Sequence, residues 1–365
     1  MSAPRTLRHK ISQELHHTRG KFVATLAAAI YLGCLLLWQS NHITAIDPIP
    51  QLEQPTLQEQ RLAAPVTVGL HVHSFPRFSF NQNDFVLDGV LWFKFISGTI
   101  PLQTLEAFSF HNAMQEPSGL VFKSAPIIKL MADQVLACYH VQVHVKAALN
   151  HKNFPLGSRR LTVMIQNKTI TPREITFSTA PDLLTIAPDN LVQDWAPRTT
   201  LVKTGYVSAP LDPHSPTIGI SYPAAVFSIE FENIGTRDLV SLYFPMFVLF
   251  LIALFCLLIE ITDTARLGYV AAAVPILVLF RIVIDGVSPQ VGYTTHLDFI
   301  YNLLVLLSLI ILFFQGFVIL TLQRSKDAPE NEQAQTRRRL EYANTIVFFG
   351  TLLALITLVT CTFFR

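Results

Sequence analysis

Two textures of apolar residues divide this chain. From Val66 to Phe231 they alternate with polar residues in short runs. Val66-Thr67-Val68-Gly69-Leu70-His71-Val72-His73 and Tyr139-His140-Val141-Gln142-Val143-His144-Val145 alternate, and Phe85–Phe95, Leu161–Ile165, Ile175–Phe177 and Ala225–Phe231 follow the same period less cleanly. Runs of period two bounded by Pro, Gly and Asn predict strands, and this spacing predicts an all-β sandwich, immunoglobulin-like, of about ten strands. Elsewhere the apolar runs are unbroken. Leu239–Ile259 has 21 residues without a charge and Phe299–Gln323 has 25. With Phe22–Ser40, Ala265–Ile284 and Tyr342–Phe364 they predict five helices long enough to cross a bilayer.

Charge assigns these segments to sides. Residues 1–21 carry Arg5, Arg8, Lys10, Arg19 and Lys21 against Glu14 alone, and the 324–341 loop carries Arg324, Lys326, Arg337, Arg338 and Arg339. The positive-inside rule places both in the cytoplasm. The expected organisation is a basic cytoplasmic segment (1–21), an N-terminal transmembrane anchor (22–40), favoured as an uncleaved signal anchor over a cleaved signal peptide because the run is long for one, a Pro- and Gln-bearing linker (41–64), an extracytoplasmic β domain (65–238) and an all-α four-helix transmembrane domain (239–365). This is a multi-pass protein of the plasma or inner membrane, with the β domain periplasmic if the cell is Gram-negative. Composition agrees: 51% of residues are hydrophobic and 14% charged, against about 25% charged in soluble domains. A net charge of +2 leaves no bulk basic surface for nucleic acid. Three of the four cysteines, Cys34, Cys256 and Cys361, lie in apolar spans, so no disulfide framework is expected.

The third span is unlike its neighbours. Gly268, Ala271, Ala272 and Ala273 make its start thin, Pro275 sits in its middle, and Arg281 and Asp285 stand four apart near its end, where they can pair. Charge and proline are tolerated at membrane depth where other helices or a water-filled path shield them.

The order of these features resembles the pentameric ligand-gated ion channel (Cys-loop receptor) superfamily in its prokaryotic form. Val68-Gly69-Leu70 with Phe85 and Leu91-Trp92-Phe93-Lys94-Phe95 is similar to the first two strands. Phe108-Ser109-Phe110-His111-Asn112-Ala113 is similar to the segment entering a binding loop, and Asn153-Phe154-Pro155-Leu156 to the Phe-Pro loop that faces the membrane domain. Pro245 stands where the first channel helix has its proline. Pro289-Gln290-Val291-Gly292-Tyr293-Thr294-Thr295-His296-Leu297-Asp298 is similar to the linker after the pore helix. Departures are Gly157 and Arg159 where the family continues its loop with Asp and Gln, Asn233 where it has an arginine, and the added N-terminal span.

The resemblance implies a homopentamer in membrane lipid, with ions passing through a central pore lined by the second channel helix. Counted from Arg266, the inward face holds Gly268, Ala272, Pro275, Leu279, Ile282 and Gly286. Glu260, Asp263 and Arg266 are the candidate charges of the inner mouth, the carboxylates favouring cations and Arg266 opposing them. Leu279 and Ile282 would form a hydrophobic constriction, and Pro275, lacking an N–H, a hinge. A small-molecule ligand or protons would act at aromatic-lined contacts between subunits, with Trp92, His111, Tyr139, Tyr206 and Tyr222 as candidates; Trp195 is a further one, and Tyr206 and Tyr222 flank a mobile loop, 210–216. Phe154, Pro155, Pro289 and Tyr293 would couple the outer domain to the pore. A channel-like receptor that does not conduct is the alternative, and an unrelated membrane protein with an enzymatic β domain a third. His71 and His73 share a strand face, as do His140 and His144, but zinc needs three or four converging ligands, and neither metal site nor cofactor is expected. No phosphate-cradling glycine loop, zincin helix or Gly-x-Ser-x-Gly elbow is present, so no enzyme is expected.

Overall fold

The computed structural model describes residues 4–40, 47–54, 56, 61–111, 122–147, 149–171, 173–188, 192, 195–210, 219–234 and 237–363. The chain divides into two units, one of strands (44–150 and 158–235) and one of helices (1–43, 151–157 and 236–365).

The strand unit contains β1 (Ala64–Ser79), β2 (Asp84–Ile96), β3 (Phe108–Phe110), β4 (Phe122–Lys123), β5 (Ile127–Met131), β6 (Gln134–Lys146), β7 (Arg159–Asn167), β8 (Ile175–Ser178), β9 (Leu184–Ile186), β10 (Trp195–Pro210) and β11 (Gly219–Asn233). A seven-stranded sheet runs β4-β6-β2-β1-β8, with β5 also on β6 and β9 also on β1. A four-stranded sheet runs β10-β11-β7-β3. β8 and β9 pair with β1 in parallel, so the larger sheet is mixed. All six strands expected from alternation are present.

Alternation explains where the core lies. Val66, Val68, Leu70 and Val72 of β1 are buried in one cluster with Leu91 and Phe93 of β2 and Val141 and Val143 of β6. The same cluster takes Val163 and Ile165 from β7 and Phe227 and Ile229 from β11, so the two sheets enclose a single sandwich-like core. Each such side chain fully removed from water contributes roughly 1.5–3 kcal/mol. The unpredicted long strand is β10. It lies at the end of the smaller sheet, paired along its length with β11 and bridged on its other side by Glu53 at Tyr206, and this edge position accommodates its Pro197 and mixed polarity.

The helical unit contains α1 (Pro4–Ser40), α2 (Arg237–Phe255), α3 (Ala265–Leu279), α4 (Arg281–Val287), α5 (His296–Arg324) and α6 (Glu330–Phe363). Among the described residues, four segments are long and apolar enough to cross a membrane, Gly20–Trp38, Ala265–Val287, His296–Asp327 and Glu330–Thr362, and Leu239–Phe255 is a shorter apolar helix. Three differences from expectation have physical causes. First, α1 is not a free anchor: Ala28, Leu32 and Leu36 are buried in the core that α2, α3, α5 and α6 form, and the Tyr31 hydroxyl lies 3.1 Å from that of Thr360. Second, α2 ends at Phe255, four residues early: the N–H groups of Leu257 and Leu258 turn back to the carbonyls of Leu254 and Phe255, and side chains take the carbonyls of Cys256 and Leu257, as described below. Third, α6 begins at Glu330, so Arg337, Arg338 and Arg339 stand on a helix rather than in a loop, while Arg324 closes α5 and Lys326 lies in the short 3-10 turn between the two helices. Ala328 is extended before Pro329, as the residue before a proline prefers, and Glu330 and Glu332 then favour a helix N-terminus. Arg337 pairs with Glu341 one turn on, at 3.0 Å.

Candidate functional site

α3 and α4 form one span broken only by a turn at Phe280, whose N–H still reaches the carbonyl of Ile276 at 2.9 Å. The break falls five residues beyond Pro275, not at it. One stripe of this span faces its own chain: Arg266, Val270, Ala273, Val274 and Leu277 are buried, as is Ile284. The other stripe faces away. Gly268, Ala272, Pro275, Leu279, Ile282 and Gly286 are all exposed, Leu279 by 62% and Ile282 by 71%. Their spacing of four and three residues keeps them on one face of a helix. No atom lies within 4 Å of where a Cβ would sit at Gly268 or Gly286. Packing within the chain therefore does not require either residue to be small.

The charged residues before α3 are placed differently from one another. Arg266 is 1% exposed. Its Nε donates to the carbonyl of Cys256 at 2.8 Å, and its Nη2 donates to Oδ1 of Asn344. Asn344 Nδ2 donates in turn to the carbonyl of Leu257 at 2.9 Å. These two side chains hold the two carbonyls just past the end of α2. Asp263 is exposed and accepts from the N–H of Ala265 at 2.9 Å. Glu260 is exposed and paired with Arg337 at 2.6 Å.

At the other end, Arg281 pairs with Asp285 at 2.8 Å, as its spacing predicted, and also with Asp298. Asp298 belongs to a capping box with Thr295 that starts α5. Beside this pair is a cavity of about 690 Å³ whose lining includes Arg281, Asp285, Pro289, Tyr293 and Tyr301. The 151–157 loop belongs to the helical unit and docks on the linker before α5. The N–H of His151 donates to the Tyr293 hydroxyl at 2.8 Å, that of His296 to the carbonyl of Lys152 at 2.7 Å, and that of Leu297 to the carbonyl of Phe154 at 3.2 Å. Phe154-Pro155 is a cis peptide, and Phe154 and Leu156 are buried among the helices. Of the four coupling candidates, Phe154 and Pro155 thus lie on one of the two segments that these bonds join, and Pro289 and Tyr293 on the other.

The ligand-binding candidates do not converge. Tyr139 is fully buried beside Phe93 and Phe108; burial, then the neighbouring Glu106, push its phenol well above the ordinary range. Tyr206 is buried too, its hydroxyl 3.0 Å from that of Thr176 in the other sheet. Tyr206 opposes Pro223 while Tyr222 opposes Val207, so the two tyrosines lie on opposite faces. Trp92 covers Gly69 on the face of the larger sheet away from the core; a Cβ at Gly69 would fall 2.3 Å from its ring. Trp195 packs against Phe80, with ring centroids 4.3 Å apart. His111 is exposed at the end of β3. The 211–218 residues of the loop between Tyr206 and Tyr222 lie outside the described residues.

Sequence reasoning missed Asn344, 78 residues from Arg266, and no local pattern marks it. Comparison with protein-family models gave no match, and comparison with curated proteins gave none either.

Proposed function

We propose that this chain is one subunit of a ligand-gated membrane channel, five copies surrounding an axis with α3 and α4 turned toward it. The observation that carries the reading is the exposed stripe from Gly268 to Gly286. A face of small residues, a proline and two large aliphatic residues, exposed in its own chain, fits a helix shielded by copies of itself. The opposite stripe is already occupied by α2 and α5. The number five comes from the resemblance. The basic residues at the N-terminus and near the start of α6 put those segments in the cytoplasm, with the strand unit outside.

The buried Arg266 bears on which ions pass. With its guanidinium bonded inside the subunit, the exposed charges before α3 are Asp263 and Glu260, and Arg337 offsets the second. Five copies of Asp263 near the inner mouth favour cations. Because the aromatic candidates are scattered within one chain, a binding site for ligand or protons would be completed by a neighbouring subunit.

The test is current through bilayers reconstituted with the purified chain, together with averaged images of the particles. Five-fold particles with cation-selective currents, and a reversal potential moved toward non-selectivity by Asp263→Asn, support the proposal. Particles without five-fold symmetry sink it. The second reading, a receptor that signals without conducting, draws on the absence of any polar side chain in the stripe from Gly268 to Gly286. Five-fold particles silent across pH and a broad ligand panel would favour it.

A further inference from the structure

Three strands of the larger sheet bring two histidines and a carboxylate together on the side away from the core. They are His73 on β1, Asp88 on β2 and His140 on β6, and their ligand atoms all lie within 4.8 Å of one another. His140 Nε2 is 2.9 Å from Asp88 Oδ1, and the rings of His73 and His140 are 6.2 Å apart, tilted by 30°.

Strand register explains the convergence. Val72 opposes Gly89, but the next pair is Ser74 with Asp88, so His73 is the extra residue of a β-bulge. A bulge re-aims its side chain, here toward Asp88. Gly89 permits this close approach: a Cβ there would fall 2.3 Å from the carbonyl oxygen of His71. On the other side, Asp88 opposes Gln142 and Val90 opposes His140. His140 is therefore the diagonal neighbour of Asp88 on the same face, within reach of a long side chain. Beside them the His71 ring stands 4.9 Å from that of His73, held by Thr185 at 2.7 Å from its Nδ1.

We propose that His73, Asp88 and His140 form a binding site for a divalent transition-metal ion of the zinc class. Two imidazoles and a carboxylate suit zinc, cobalt, nickel or copper, whereas calcium and magnesium prefer oxygen donors throughout. Zinc held at bond lengths near 2.1 Å wants its ligand atoms about 3.4 Å apart. Asp88 and His140, 2.9 Å apart, need to part by only about half an ångström to reach that spacing, and His73 sits on an exposed, bulged position free to close the remainder. Three protein ligands leave one tetrahedral position for water or a further donor. Because the ligands come from three strands, the ion would tie β1, β2 and β6 together and stabilise the folded form.

The experiment uses the full chain in detergent, freed of metal by chelator and dialysis. Cobalt(II) is titrated in while visible absorption is followed, and zinc is then added to displace it. The comparison is with His73→Ala/His140→Ala and with Asp88→Asn. The wild type is expected to bind one ion more per chain than the double variant, with tetrahedral cobalt bands that zinc removes. Asp88→Asn should bind at least about tenfold more weakly, the loss that disturbing a metal's immediate surroundings typically brings. His144→Ala, a change on the same sheet, should bind as wild type does. Unchanged elution of each variant on size exclusion, and unchanged far-ultraviolet dichroism, identify a folded comparison. Equal stoichiometry in wild type and folded double variant, or absence of cobalt bands in both, overturns the site.

Discussion

Arg266 turns into its own subunit and donates through Nε to the carbonyl oxygen of Cys256, 2.8 Å away. Ten residues separate them in sequence, and the bond closes the hinge between α2 and α3. A buried guanidinium with fixed acceptors is a structural fastener, not a mobile charge. Arg266→Leu would leave the Cys256 carbonyl and the Asn344 amide without that partner, at about 1–3 kcal/mol for each buried group left unsatisfied. The expected outcome is a lower melting temperature of the purified protein, with the reversal potential in asymmetric salt unchanged. A reversal potential that moves as far as it does in Asp263→Asn would place the charge of Arg266 at the mouth after all.

Tyr293 accepts a hydrogen bond from the N–H of His151, linking the 151–157 loop to the segment that leads out of α4. If that contact differs in strength between closed and open forms, removing it shifts the balance between them by its difference alone. Tyr293→Phe removes the oxygen and keeps the ring. A bond of ordinary net worth, about 1 kcal/mol, corresponds to roughly a fivefold change in an equilibrium constant. The prediction is an activation curve displaced by up to that factor, with particle symmetry and yield as in wild type. An activation curve identical to the wild type would remove Tyr293 from the coupling path.

The strands were legible where one face is buried and the other is not. Val66, Val68, Leu70 and Val72 alternate because every second side chain of β1 enters the core. β10 was not legible because it is an edge, with Thr199 and Lys203 on a strand that packs little and therefore needs no clean pattern. The exposed stripe of α3 and α4 could be counted from helical spacing alone, since Gly268 to Gly286 repeat every three or four residues. The interior position of Arg266 could not: its partner Asn344 lies on another helix, and an arginine after a polar hinge reads equally well as a charge at a mouth. The nearness of His73 to Asp88 depends on a bulge between Val72 and Ser74. A single inserted residue in a register leaves no mark in local composition.

Asp84 opens β2 and accepts from Arg77 at 3.1 Å and from the buried His144; Lys146 opposes it on β6. Partial burial raises its affinity for a proton, but the hydrogen bonds and charges of His144 and Arg77 outweigh that and hold the carboxyl below its usual range. The sign follows. A carboxylate whose affinity for protons is lower in the folded form than in the unfolded chain stabilises the fold above the unfolded value, near 3.9. That contribution is lost as pH falls from there through the depressed folded value. Asp84→Asn should lower stability near neutrality and flatten its decline below about pH 4, as read by acid unfolding of the detergent-solubilised protein. A variant with the same acid limb as wild type would show that the carboxylate is not what the acid titrates.

Leu279 and Ile282 stand three residues apart on the exposed stripe, each more than half exposed in its own subunit. Side by side around a central axis, rings of these residues would make a narrow apolar collar. Such a collar blocks ions without touching them, because water leaves a passage too narrow and too greasy to keep it wet. A polar side chain of similar size restores the water. Leu279→Asn or Ile282→Asn is therefore expected to produce current without stimulus, and Leu279→Ile to leave the resting channel closed. The contrast between the two substitutions carries the weight, because a merely damaged subunit would reduce current in both. It also separates the two functional readings. If the chain assembles around an axis but does not conduct because the collar stays dry, Leu279→Asn should switch current on in an otherwise silent protein. If α3 and α4 instead face lipid, an asparagine at either position would meet hydrocarbon, and the yield of membrane-inserted protein should fall while no current appears.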